Sequence, residues 1–152
     1  MRDTDLISVA GLNDLLAALN RARAEGAAAS EDAALERCVE LLFAPSRRLA
    51  VYGSLAPDRE NHGVLADIAG DWVEGHVRGR LRRTGWGSEL GYPALTWEPD
   101  GDEVGVWVLV AEELQRRWPE LDRFEGPGYL RGLAPVFVGE RLFCVANIYL
   151  AV

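Results

Sequence analysis

Leu49-Ala50-Val51-Tyr52-Gly53-Ser54-Leu55 is a short apolar run that stops abruptly at a Gly-Ser pair. Its apolar residues and the β-branched Val51 fit a buried strand, and Gly53 permits a sharp turn directly after Tyr52. A strand ending this way delivers a tight loop whose successive N–H groups form a concave nest. Such a nest binds an anion or a developing oxyanion without any charged side chain. The same residues also suit a plain strand-to-turn junction, for which Gly-Ser is common.

On the N-terminal side, Val9, Leu12, Leu15, Leu16 and Leu19 recur at helical spacing over residues 8–24, and Gly26 is a natural stop. Ser30, with Glu31 and Asp32 behind it, opens a second helix through about Leu42, and Pro45 closes it. The two helices form a hairpin ahead of the organising strand, to be used as packing, as a lid or as a dimer contact. Packing is the favoured use.

On the C-terminal side, Asn61 caps a short helix over 61–66, and His62 falls on the surface or in a pocket beside it. Residues 72–81 alternate as a half-buried strand whose glycines mark a bend or a close backbone approach. A brief strand runs to Trp97, and the apolar residues 106–110 predict a central strand covered on both faces. A helix over 112–124 places Leu114, Trp118, Leu121 and Phe124 on one stripe, and Pro119 is expected to divide it. Gly126-Pro127-Gly128 ends it, and strands over 133–138 and 142–150 close the sheet around a turn at Gly139. Several strands, few helices among them and many glycine corners predict an α+β chain built on a small closed or nearly closed sheet.

A chain of 152 residues suits one domain with a real core. Its net charge is -8, and all 16 basic residues are arginine. Without lysine no protein-derived Schiff base can form, which removes pyridoxal-phosphate enzymes and lysine aldolases. An acidic surface disfavours nucleic acid, and Arg78, Arg80, Arg82 and Arg83 read as a solvated strand face. No apolar run is long enough to span a membrane, and the polar start Met1-Arg2-Asp3-Thr4-Asp5 makes a cytoplasmic location the expectation. Cys38 and Cys144 lie far apart, and no metal-ligand spacing occurs. Ser54 lacks the glycine two residues before it that a nucleophile elbow needs, so a serine hydrolase is a weak reading.

Glu125 is the candidate catalyst. At the end of a helix and just before Gly-Pro-Gly, its carboxylate can tuck into an apolar pocket, where burial raises the pKa toward values useful for proton transfer near neutrality. Taken alone it would equally be an exposed helix-end glutamate. Asp122, one turn earlier, is a partner in a two-carboxylate arrangement or a solvated residue.

The set Val51-Tyr52-Gly53-Ser54-Leu55, Asn61-His62, Gly91-Tyr92-Pro93-Ala94 and Leu121-Asp122-Arg123-Phe124-Glu125-Gly126, followed by Tyr129 and Arg131, resembles the gamma-glutamylcyclotransferase-like family in order and spacing. The resemblance covers roughly residues 48–151. It implies a small mixed β-barrel with flanking helices, here with the N-terminal helical hairpin added: residues 1–46 as an extension and 47–152 as the domain, packed as one unit. It also implies that Tyr52, Gly53, Ser54 and Leu55 line a pocket for a γ-glutamyl group, that Glu125 is general acid and base, and that 5-oxoproline and an amine are released. Tyr92 and Tyr129 are read as pocket contacts and Arg131 as structural. The reaction so implied uses a small-molecule γ-glutamyl substrate and no metal, cofactor, nucleic acid or membrane, and a homodimer stays open. The competing readings are a non-catalytic binding protein that keeps the pocket and a scaffold that works through its hairpin. The leaving amine stays undetermined.

Overall fold

The computed structural model describes residues 8–26, 30–52, 62–84 and 92–151. The organising run is strand β1, Arg48–Val51. It lies antiparallel to β4, Asp102–Val110, and parallel to β6, Arg141–Ala151. Consecutive side chains of β1 enter different cores: Leu49 and Val51 face outward under a helix, while Ala50 points into the sheet interior. Both faces are therefore covered, which is why the run is continuously apolar.

Two further strands, β2 (Asp71–Thr84) and β3 (Tyr92–Trp97), and β5 (Tyr129–Val138) complete a sheet of order β3-β2-β4-β1-β6-β5. A pairing of β2 with β5, His76 opposite Phe137, closes five strands into a mixed barrel and leaves β3 as an extra strand. The glycines of β2 make the close approaches their pattern predicts. A Cβ on Gly75 would lie 2.7 Å from the Phe137 carbonyl oxygen, and one on Gly79 would lie 2.4 Å from that of Thr96. The barrel interior is filled by Ala50, Val77, Val106, Val108, Val136 and Ile148, among others. Arg78 and Arg80 lie on the solvent side of β2, paired with Glu103 and Glu98.

Outside the barrel sit α1 (Val9–Glu25), α2 (Ser30–Phe43) and α3 (Leu114–Glu125). Ser8 caps α1 by accepting from the Gly11 N–H, and Gly26 ends it in the left-handed conformation. Leu12, Leu16 and Leu19 of α1 and Val39 of α2 form an outer core against Leu133 and Val145. A second outer core joins α3, through Leu114, Trp118 and Leu121, to Leu49 and Val51 of β1, Leu109 of β4 and Tyr149 of β6. Among the described residues no helix is long and apolar enough to cross a membrane.

Residues 106–110 of β4 lie between β2 and β1 with Val106 and Val108 in the barrel interior and Trp107 and Leu109 in the outer core, the central strand covered on both faces that their apolar run predicts. Three sequence expectations are revised. Pro119 does not divide α3, which runs unbroken through it. The proline costs one hydrogen bond, while Trp118 and Leu121 on either side of it are anchored in the core. Strand β5 starts at Tyr129, four residues before the expected start at Leu133, so Tyr129 and Arg131 are strand residues. The segment after Asn61 is a single 3-10 turn, His62–Val64, rather than a longer helix.

Candidate active site

The last turn of α3 carries the candidate catalyst. At about 100° per residue, Glu125 falls roughly 20° around the helix from Leu114, on the stripe of Trp118 and Leu121. Phe124 falls on the flank, and it is 43% exposed. The expected placement of Phe124 on the apolar face is thus corrected: the stripe continues into Glu125, a carboxylate where the pattern calls for an apolar side chain. Burial pushes the Glu125 carboxyl up to about 7. Its position at the negative end of the helix dipole acts in the same direction. Among the described residues no hydrogen-bond partner offsets that desolvation.

Tyr52, directly after β1, donates its hydroxyl proton to the Tyr149 carbonyl of β6 and accepts from the Leu95 N–H of β3 at 3.3 Å. Its hydroxyl pins three strands together at the mouth of the barrel. Burial holds the Tyr52 phenol well above its ordinary pKa, and the charges of Tyr129 and Glu125 add to the effect against the Leu95 bond. Tyr149 is held up first by burial and then by Asp122, with Glu125 contributing. The Glu125 carboxylate is therefore close enough to both phenols to influence them, and the structure gathers Glu125, Tyr52, Tyr129 and Tyr149 at one end of the barrel.

Asp122 lies on the neighbouring flank of α3. It accepts from the Tyr149 hydroxyl at 2.7 Å and from Arg131 Nε at 3.0 Å and Nη2 at 3.4 Å. The Arg131 guanidinium also stacks over Trp118, 4.5 Å from the ring centroid. Asp122 is thus neither simply solvated nor the second half of a glycosidase-like pair, because its oxygens are committed to Arg131 and Tyr149. Arg23, Asp122, Tyr129, Leu130, Arg131 and Tyr149 line a cleft of about 390 Å³ at this end of the barrel.

Sequence reasoning did not find Tyr149 or Asn147. Asn147 is 2% exposed, the buried polar residue of the core, and its signal was a lone amide in the apolar run from Val145 to Leu150. The amide donates to the Pro45 carbonyl at 2.8 Å and accepts from Arg23 and Arg131. Gly53, Ser54, Leu55 and Asn61 lie outside the described residues, as do the side chains of His62 and Tyr92. The backbone of Tyr92 opens β3 opposite Thr84. Among the described residues no group of three or more His, Cys, Asp or Glu side chains is arranged to hold a metal ion.

Residues 49–151 match the model of the family described as gamma-glutamyl cyclotransferase, AIG2-like. The chain is 32% identical over 106 residues to the gamma-L-glutamyl-butirosin B gamma-glutamyl cyclotransferase of Niallia circulans, a match covering 70% of this chain and 60% of that protein. The fold is similar to that of an AIG2-like protein from Mus musculus, with TM-score 0.56 and 24% identity over 69% of this chain and 76% of that one. YkqA from Bacillus subtilis is also similar, with TM-score 0.53 and 25% identity over 69% of this chain and 35% of that one. The match of the family model to residues 49–151, more than half of the chain, places it in the gamma-glutamyl cyclotransferase, AIG2-like family.

Proposed function

We propose that this chain releases 5-oxoproline and a free amine from a γ-glutamyl amide, with Glu125 as general acid and base. The observation that carries the reading is the half-buried Glu125, poised near pH 7 beside the phenols of Tyr52 and Tyr149. A carboxyl that titrates there can both take and return a proton under ordinary conditions.

In this mechanism the substrate reacts with its α-amine neutral, and the ionised Glu125 removes a proton from that amine as it attacks. The amine nitrogen forms a bond to the γ-carbonyl carbon of the same glutamyl residue, producing a five-membered ring and an oxyanion. Glu125 then passes the proton to the departing nitrogen as the C–N bond breaks, which leaves 5-oxoproline and a neutral amine. Nucleophile and electrophile belong to one molecule, so holding the glutamyl chain curled supplies much of the rate, an effect worth about 7–11 kcal/mol in well-oriented cases. The loop of Gly53, Ser54 and Leu55 is assigned the oxyanion and carboxylate contacts. Tyr129 and Tyr92 are assigned to the pocket wall, as is the ring of Tyr52, whose hydroxyl is engaged by the Tyr149 carbonyl and the Leu95 N–H.

The test is 5-oxoproline release from a panel of γ-glutamyl amides by the unaltered protein and by Glu125→Gln, with ligand binding measured by calorimetry. Release that disappears in Glu125→Gln, with binding kept, is expected. Binding without release in the unaltered protein would make this chain a ligand-binding member of its family.

A further inference from the structure

We propose that the N-terminal hairpin is a working part of the site and that Arg23 is a positioning residue. On this assignment Arg23 sets the Arg131–Asp122–Tyr149 array beside Glu125. The inference rests on the proposed reaction for its kinetic consequence but not for its structural one. The family match begins at residue 49, so α1 and α2 lie outside it.

The geometry begins at the free edge of β5. Opposed to β6 on one side, β5 turns alternate backbone groups outward at Arg131, Leu133 and Pro135. Pro135 has no N–H to satisfy. Asn20 of α1 does for Leu133 what a neighbouring strand would do: its Nδ2 donates to the Leu133 carbonyl at 2.9 Å, and its Oδ1 accepts the Leu133 N–H at 2.7 Å. Gly132 makes room for this approach, since a Cβ there would lie 3.1 Å from Asn20 Oδ1 and 2.6 Å from Leu150 Cδ1. One helical turn on, Arg23 Nη1 donates to the Arg131 carbonyl at 3.2 Å. The helix thus occupies the edge that the short β2–β5 closure leaves unpaired.

Arg23 does more than close that edge. The same Nη1 donates to Asn147 Oδ1 at 2.9 Å, the atom that also accepts from Arg131 Nη1 at 3.4 Å. Glu36 of α2 clamps the rest of the guanidinium, taking Nε at 2.7 Å and Nη2 at 3.0 Å. Arg131 is therefore held at its backbone by Arg23 and at its side chain by an amide that Arg23 orients, and it grips Asp122 on the last turn of α3. Along the outer face of β6, Val145 lies under the hairpin, Tyr149 under α3, and Asn147 stands at the junction. Two separate apolar cores are coupled through one polar junction, and Glu125 ends the helix on its far side. Among the described residues, besides Asp122 and Arg123 on its own helix, the groups around that end are Tyr129 and Arg131 of β5, Tyr149 of β6 and Tyr52 after β1.

The test compares Arg23→Met with Val39→Ala in the full chain. The first removes the coupling, and the second loosens the hairpin's apolar contact while leaving every polar contact in place. Two readouts are taken: the pH midpoint of the Glu125 carboxyl by carbon NMR, and kcat and KM for 5-oxoproline release. Arg23→Met is expected to let water reach the end of α3. The midpoint should then fall by about half a pH unit or more, and kcat by about fivefold or more with KM nearly unchanged. Val39→Ala should lower Tm and move neither readout. An unmoved midpoint in folded Arg23→Met, or an equal shift in Val39→Ala, overturns the proposal. If Arg23→Met does not fold, Glu36→Gln, which opens the clamp on Arg23, is read in the same way. If the unaltered protein releases no 5-oxoproline, the proposed reaction fails while the NMR midpoint still decides the role of Arg23.

Discussion

The last turn of α3 has two sides. On one, Asp122 is gripped by a guanidinium and a phenol; on the other, Glu125 is half-buried with no charged partner among the described residues, and its proton affinity rises. Two carboxylates three residues apart thus differ because of what the barrel places opposite each. Partners commit one to a structural tie, and desolvation leaves the other able to exchange a proton near neutrality. The contrast resembles other acid–base sites in which environment, rather than residue type, separates the roles of two carboxylates.

The strongest way to break this contrast is to remove the titrating group. We predict that Glu125→Gln lowers kcat for 5-oxoproline release by about 10²–10⁴-fold, with affinity for a γ-glutamyl ligand kept within a few-fold by calorimetry. A comparable loss in Asp122→Asn would erase the distinction between the two sides. The expectation there is a decrease of about tenfold in turnover, together with a loss of about 1–2 kcal/mol in denaturant-measured stability from the weakened pair with Arg131.

The pH dependence of stability sharpens the contrast. Glu125 is raised from 4.5 in its ordinary state to about 7 in the fold. Its stabilising contribution is fully present below pH 4.5 and is lost as the pH rises through 7, because the unfolded chain gives up the proton first. Glu125→Gln should therefore be more stable, relative to the unaltered protein, at pH 8 than at pH 4.5. The difference expected, after allowance for partial solvent exposure, is about 1–2 kcal/mol. A difference of the opposite sign would show that Glu125 is held as an ion by a partner. The smallest expected effect is that of Tyr149→Phe, which removes one hydroxyl from Asp122. It should cost about 0.5–1.5 kcal/mol by chemical denaturation.

Local patterns carried much of the fold. The helices Val9–Glu25 and Ser30–Phe43, the strand before Tyr52 and the glycine-marked strand through Val77 follow from spacing, caps and glycine placement. Where local rules gave the wrong answer, packing had overruled them. Pro119 lies within an unbroken helix because its neighbours are buried, and Tyr129 joins β5 because β6 extends far enough to pair with it. In the candidate site, the helix period is sufficient in hindsight to put Glu125, rather than Phe124, on the apolar stripe of α3.

By itself, the sequence determined the α+β class, the order of the elements, the presence of a glutamate at the end of a helix and that of a Gly-Ser pair after a strand. Those are consequences of residue type and short-range spacing. Only the tertiary structure decided which groups oppose each carboxylate. Arg23 meets Asn147, and Tyr149 meets Asp122, across separations of 124 and 27 residues. Charge, burial and proton affinity depend on distance in space, and barrel closure sets those distances in a way that no local period records.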